Sequence, residues 1–130
     1  MNDPRPDAQC PFCSIAKERI WAETHTAAAV LDGFPISEGH SLIIPKRHVE
    51  LLFELPENEL LQAWSLVAKV RELLKRKYSP DGFNIGLNEG AAAGQTISHA
   101  HIHVIPRRSR DVPDPRGGIR WVIAPKAKYW

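Results

Sequence analysis

Three histidines alternate with apolar residues near the end of the sequence, in the run His99-Ala100-His101-Ile102-His103. Successive side chains of a β-strand point to opposite faces, so we expect the three imidazoles on one face of a sheet. At about 3.3 Å per residue the outer two lie roughly 13 Å apart, whereas zinc binds imidazole nitrogen at about 2.1 Å. The three histidines therefore cannot all bind one metal ion in the usual way, and we expect them to have different roles. Solvated histidines without a role are the simpler alternative, which the strict alternation disfavours.

The two cysteines of the chain form a Cys10-Pro-Phe-Cys13 pair. Such a pair indicates a redox couple, a disulfide or half of a zinc site. A redox pair is expected at the start of a long helix, and this pair follows a segment rich in Pro and Asp instead. The sequence shows no signal-peptide core and no apolar run long enough to span a membrane, so we expect a cytoplasmic protein, in which disulfides rarely persist. A zinc site is therefore the favoured interpretation.

Zinc would need two further ligands, and the spacing is not that of a zinc finger. The candidates are His25, His40, His48 and one member of the triad. A tetrahedral structural site that joins three remote segments would form from one such set, namely Cys10, Cys13, His48 and His99.

Hydrophobic periodicity predicts an α+β fold in which five antiparallel strands accompany one long and one short helix. The long helix is predicted over 57–77, where apolar residues recur at three- and four-residue intervals, and the short one over 11–19. The strands are predicted over 20–24, 27–31, 40–44 and 83–87, and the triad forms the fifth.

Length and charge narrow the function classes. A chain of 130 residues is expected to form a single domain over 1–130, with a flexible leader at 1–7 and an Arg-rich loop and C-terminal tail at 107–130. The formal net charge of +2 argues against a polymeric nucleic acid as partner, because such proteins carry stripes of Lys and Arg.

Several further motifs surround the histidines. Gly94-Gln95-Thr96 precedes the triad, Val104-Ile105-Pro106 follows it, and Asn88-Glu89-Gly90 and the run 39–48 lie upstream. Together these motifs resemble the histidine-triad (HIT) family of nucleotide hydrolases and transferases, over residues 8 to about 107. The resemblance implies a HIT-like fold, a homodimer whose sheets join, and a purine nucleotide as partner. In the zinc-containing, bacterial-type members that the chain resembles, the first triad histidine is a zinc ligand, which implies structural Zn²⁺ on His99 and the other three residues of the set above.

The same resemblance implies roles for individual residues. His101 is the nucleophile that attacks the α-phosphorus of a nucleotide, with its other ring nitrogen hydrogen-bonded to a backbone carbonyl. His103 donates to the phosphate or protonates the leaving group, and His40 orients a neighbour or relays a proton. A strand-end histidine with no catalytic role is the alternative for His40.

Substrate-binding residues are implied in the same way. Donors for the phosphate oxygens are Asn88, Gln95 and Thr96, and Asp32 binds the ribose unless it merely forms a turn. An apolar slot for the base, or else ordinary core, is expected from Phe12, Ile15, Leu31 and Leu42.

We therefore expect a nucleotide hydrolase that forms a covalent nucleotidyl-histidine, acting on dinucleoside polyphosphates such as diadenosine tetraphosphate or on adenosine phosphoramidates. A nucleotidyltransferase or phosphorylase of the same superfamily is one alternative, and a nucleotide-binding regulatory module without activity is another. The tail carries Arg116, Arg120 and Lys126, which would bind the far phosphates of a long substrate, unless the tail is solvated or a dimer contact.

Overall fold

The computed structural model describes residues 9–130, so the leader expected at 1–7 lies outside the described residues. Strands β1 to β5 are Ile20–Glu23, Ala27–Leu31, Ser41–Pro45, Gly82–Gly86 and Ile102–Arg107. Helix α1 is Glu57–Tyr78, and short 3-10 turns lie at Lys17–Arg19, Leu52–Glu54, Ala91–Ala93 and Gly118–Lys126. The long helix is confirmed, and the short helix predicted over 11–19 is confined to Lys17–Arg19.

The five strands form one sheet in the order β1-β2-β3-β5-β4, with each neighbouring pair antiparallel. The predicted five-stranded antiparallel sheet is thus confirmed. Strand β5 lies in the interior of the sheet, where His103 is paired with Leu42 of β3 on one side and Gly86 of β4 on the other. The strand begins only at Ile102, so His99 and His101 lie in the segment that leads into it.

Helix α1 covers one face of the sheet because its apolar residues recur once per turn on a single side. Its buried residues include Leu66 and Val70, which join Ile43, Ile102 and Val104 of the strands in the main core. The helix ends at Ser79, which adopts a left-handed backbone with φ 48°. None of the helices in the part of the chain that the structure describes is long and apolar enough to cross a membrane.

The opposite face of the sheet carries a second, smaller apolar cluster. Val30, Leu42 and Ile44 are buried there beneath Phe12 and Ile15, which belong to the segment before β1. Because this segment crosses that face, it brings the cysteine pair close to the histidine-bearing end of β5.

Candidate active site and metal site

The structure separates the three histidines of the triad. His99 is fully buried beside the cysteine pair, whereas His101 and His103 are half-buried and line a cleft on the face opposite α1. The alternation puts Ala100, Ile102 and Val104 into the core beneath the helix. One short run of sequence thus supplies two different sites.

The first site is a cluster of two cysteines and two histidines. The Nδ1 atom of His99 lies 3.4 Å from Sγ of Cys10 and 3.6 Å from Sγ of Cys13, and Nδ1 of His48 lies 3.0 Å from Sγ of Cys13. One side-chain donor atom from each of the four residues lies within 4.8 Å of all the others. This is the set predicted from the sequence, and two thiolates with two imidazoles suit tetrahedral zinc.

The tautomer of His99 fits a metal ion. Its Nε2 lies 2.8 Å from the carbonyl oxygen of Pro45, to which it donates its proton. The lone pair therefore resides on Nδ1, which faces the two sulfur atoms. Metal-binding histidines are commonly oriented by such a hydrogen bond from the nitrogen that does not bind the metal.

The second site begins with His101. Its Nδ1 lies 2.9 Å from the carbonyl oxygen of His99, so the proton is on Nδ1 and the lone pair on Nε2. The edge of Phe12 packs against the ring, with 5.1 Å between centroids. The carbonyl contact that we expected from the sequence is present, and it leaves His101 with an unprotonated nitrogen of the kind a nucleophile needs.

A hydrogen-bonded chain leads away from His103 into the protein. The backbone N–H of Ile36 donates to Nδ1 of His40 at 3.2 Å, so neutral His40 carries its proton on Nε2. That nitrogen lies 2.9 Å from Nδ1 of His103 and 3.3 Å from Oδ2 of Asp32. When His103 accepts from His40, its own proton is on Nε2, and His103 can act as a donor.

Burial lowers the pKa of both His40 and His103 below the ordinary histidine value, while the carboxylate of Asp32 opposes that shift. The charges of His101 and His40 lower the pKa of His103 further. Both imidazoles are therefore neutral at neutral pH, as the chain of hydrogen bonds requires.

His40, His103 and Asp32 also have their donor atoms close enough together for a metal ion. Their hydrogen bonds argue against one. Because Ile36 donates to Nδ1 of His40, a metal on Nε2 would need His40 to lose its last ring proton. This cluster is therefore suited to holding and moving a proton, unlike the cysteine cluster.

Asp32 also forms a turn, since its Oδ1 accepts the backbone N–H of Phe34 at 2.8 Å. The turn-forming interpretation is thus correct, and the same side chain lines the cleft beside His40.

The cleft has a volume of about 580 Å³, within the usual range for small-molecule sites. The predicted site residues that line it are Phe12, Asp32, His40, Leu42, Asn88, Gln95, Thr96, His101 and His103. Neither Lys nor Arg lines it, and Asp32 is its one acidic residue.

The HIT domain model matches residues 15–110, which is most of the chain. The chain belongs to the HIT domain family. It is 34% identical over 121 residues to the adenosine 5'-monophosphoramidase hnt1 of Schizosaccharomyces pombe, covering 90% of this chain and 88% of that one. It is 38% identical over 93 residues to the asymmetrical bis(5'-nucleosyl)-tetraphosphatase of the same organism, covering 72% of this chain and 51% of that one.

A solved structure adds a metal to the comparison. The Zn-bound histidine triad family protein of Mycobacterium smegmatis superposes with a TM-score of 0.71 at 30% identity, covering 89% of this chain and 91% of that one. The fold and the family of the HIT protein described here are thus those that the sequence motifs indicated.

The structure gives Gln95 a different task from the one predicted. Its Oε1 accepts the N–H of Gly90 at 2.8 Å, and its Nε2 donates to the carbonyl oxygens of Glu50 at 2.8 Å and Ile97 at 3.0 Å. Because both amide protons are used by the backbone, Gln95 holds the loop that follows β4 in place and does not present a donor to a phosphate.

Two residues predicted for the apolar slot lie elsewhere. Leu31 is 50% exposed and faces a separate depression beside Trp21 and Tyr78, because strand alternation points it away from Val30. Ile15 lies behind Phe12 and lines a neighbouring depression. The prediction that these two side chains line the nucleotide cleft is therefore wrong.

The cations of the tail are also used differently from the prediction. The guanidinium of Arg116 pairs with Asp114 at 3.0 Å and stacks on Trp130, and that of Arg120 donates to the carbonyl oxygens of Ala127 and Lys126. Lys126 does not line the cleft. These side chains fold the tail on itself instead of facing a phosphate site.

Sequence reasoning missed four apolar residues of the cleft, Phe34, Ile36, Ile119 and Val122. Two apolar residues in the predicted turn after β2 were a signal for Phe34 and Ile36, because turns are usually polar. The tail offered no such signal, since no periodic pattern relates residues 119 and 122 to the triad.

Proposed function

We propose that this HIT protein hydrolyses nucleotide derivatives through a covalent nucleotidyl-His101 intermediate. The observation that carries the proposal is the hydrogen bond from Nδ1 of His101 to the carbonyl of His99, which leaves Nε2 as a lone-pair donor at the cleft. Relatives named as a tetraphosphatase and a phosphoramidase support the two substrate classes, dinucleoside polyphosphates and adenosine phosphoramidates.

On this proposal Nε2 of His101 attacks the α-phosphorus, and the N–P bond forms as the bond to the leaving group breaks. The leaving group keeps the bonding electron pair and takes the Nε2 proton of His103, while His40 passes its own proton to Nδ1 of His103. Water then attacks the phosphorus, breaks the N–P bond, and returns a proton to His103. The products are a nucleoside monophosphate and free His101.

The charge that develops on the phosphate oxygens needs donors that are already in place. With the Gln95 side chain occupied, we assign this role to Asn88, Thr96 and the backbone amides of their loop. Asp32 is proposed to bind the ribose hydroxyls at the far end of the cleft. Phe12 and Leu42 supply apolar surface for the base.

We further propose that Cys10, Cys13, His48 and His99 hold structural zinc. The donor set and the His99 tautomer support this, as does the Zn-bound relative. When bound, zinc would supply cross-linking and no chemistry to the substrate, since the four protein ligands complete a tetrahedral shell. The homodimer and the cytoplasmic location stay predictions.

The test is substitution of His101 by alanine, with turnover measured on diadenosine tetraphosphate and adenosine phosphoramidate. Loss of a covalent step should remove activity by more than about a hundredfold, while nucleotide binding is largely retained. Rapid acid quenching of the wild type should trap an alkali-stable, acid-labile phosphate on His101, and assays with added inorganic phosphate would detect a phosphorylase. Retention of more than about a hundredth of the activity would mean that acid–base help alone was lost, and the covalent mechanism would be wrong.

A further inference from the structure

The cleft has two sides, which are set by the neighbours of β5. On the β3 side lie Asp32 and Leu42, and on the β4 side lies Gly86, opposite His103. A substrate that reacts at His101 has its phosphorus between these sides. If Asp32 binds the ribose, as proposed above, the leaving group is directed to the side of Gly86.

The Gly86 side is walled by the C-terminal segment. Ile119 and Val122 line the cleft there and are 65% and 78% exposed, so both offer most of their apolar surface to a ligand. A methyl group on Gly86 would lie 3.5 Å from Cδ1 of Ile119. Ile119 thus stands over the position where β4 has no side chain, beside the strand that carries His103.

The segment that carries these two residues is held in shape by its own polar groups. Arg120 donates to the carbonyls of Ala127 and Lys126, and the indole N–H of Trp121 donates to the carbonyl of Arg116 at 2.8 Å. Ala127 is fully buried. The wall is therefore built, and its apolar side chains face the cleft while its guanidinium groups are used within the tail.

The geometry points to Ile119 and Val122 as specificity-determining residues that bind the leaving group of the substrate. This inference rests on the proposed nucleotidyl-histidine function and extends it. Two aliphatic side chains, in a cleft without Lys or Arg in its lining, match a leaving group with an apolar body, such as an aryl-alkyl amine on a phosphoramidate. They offer nothing to a chain of charged phosphates.

The experiment compares two substrates that share one nucleoside, adenosine 5'-phosphoramidate with an unsubstituted amine and its N-benzyl derivative. Ile119→Ala and Val122→Ala should each lower kcat/KM for the N-benzyl substrate about five- to tenfold and leave the unsubstituted substrate unchanged. Ile123→Ala is the matched control, because Ile123 is 59% exposed in the same segment and does not line the cleft. It should alter neither substrate.

Each other outcome is decisive. Equal losses on both substrates would place the two side chains against the nucleoside, and no loss on either would leave the wall without a role; both results overturn the inference. Absence of wild-type turnover on either compound, with no adduct on His101, would instead contradict the proposed function on which it rests.

Discussion

At the residue scale, one hydrogen bond at each histidine decides what its second nitrogen can do. His99 donates to Pro45 and His101 to the carbonyl of His99, so the two rings expose opposite nitrogens, Nδ1 and Nε2. His103 accepts from His40 and is left with a donor. Three identical side chains thereby become a metal ligand, a nucleophile and a proton donor in our proposal.

The same scale distinguishes Gln95 from its neighbour Thr96. Gln95→Ala should lower the free energy of unfolding by about 1–3 kcal/mol, because Gly90 and the carbonyls of Glu50 and Ile97 lose their partner. Thr96→Ala should leave stability nearly unchanged and raise KM. Urea denaturation and steady-state kinetics of both variants test this. A Gln95 variant with unchanged stability and weaker phosphate binding would restore the role first predicted for it.

At the element scale, the cysteine cluster joins three pieces of chain that are remote in sequence. These are the segment before β1, the loop after β3 and the run that leads into β5. A backbone hydrogen bond from Ala100 to Val49, at 2.7 Å, adds a direct link between the last two. The nucleophile lies two residues beyond His99, so the same junction also sets where β5 enters the sheet.

We predict about one zinc ion per chain in protein prepared without chelator, and Cys13→Ser should lower the melting temperature far more than it lowers kcat. The reason is that a site with four protein ligands acts by joining elements. Elemental analysis and thermal denaturation provide the measurements, with Ser14→Ala as a neighbouring control outside the donor set. Protein free of zinc would remove the metal from the proposal, and loss of turnover at full stability would contradict a purely structural role.

At the scale of the whole molecule, the sheet has a helix on one face and the reactive groups on the other. The helical face is apolar, whereas the cleft face holds histidines that are partly withdrawn from water. Burial lowers the pKa of His40 and His103 in the folded protein, so the unfolded chain binds protons more readily. Folding stability is therefore coupled to pH.

The free energy of unfolding should fall as pH drops from 7 to 5. The contribution of the two histidines is complete above the unfolded pKa of about 6.5 and is lost as pH falls toward the lowered pKa of the folded state. His40→Gln keeps a donor near the Nε2 position but cannot titrate, so its loss of stability between pH 7 and pH 5 should be smaller. Urea denaturation at both pH values measures this, and an equal or larger loss in the variant would contradict it.

The sequence by itself determined the elements and the chemical groups. Periodic apolar residues specify helix α1 and the strands within a few positions, because alternation and helical repeat are local properties. Cys10, Cys13 and the alternating histidines likewise announced a metal site and a reactive triad, because few functions need those groups at that spacing. The surrounding motifs were enough to indicate the family.

Only the tertiary structure decided which atoms of those groups are available. The tautomer of His99 depends on Pro45, 54 positions away, and that of His103 on His40, 63 positions away. The internal task of the Gln95 side chain and the position of Ile119 over Gly86 arise in the same way. Hydrogen bonds and van der Waals contacts depend on distance in space, and folding creates these distances between residues that no local pattern relates.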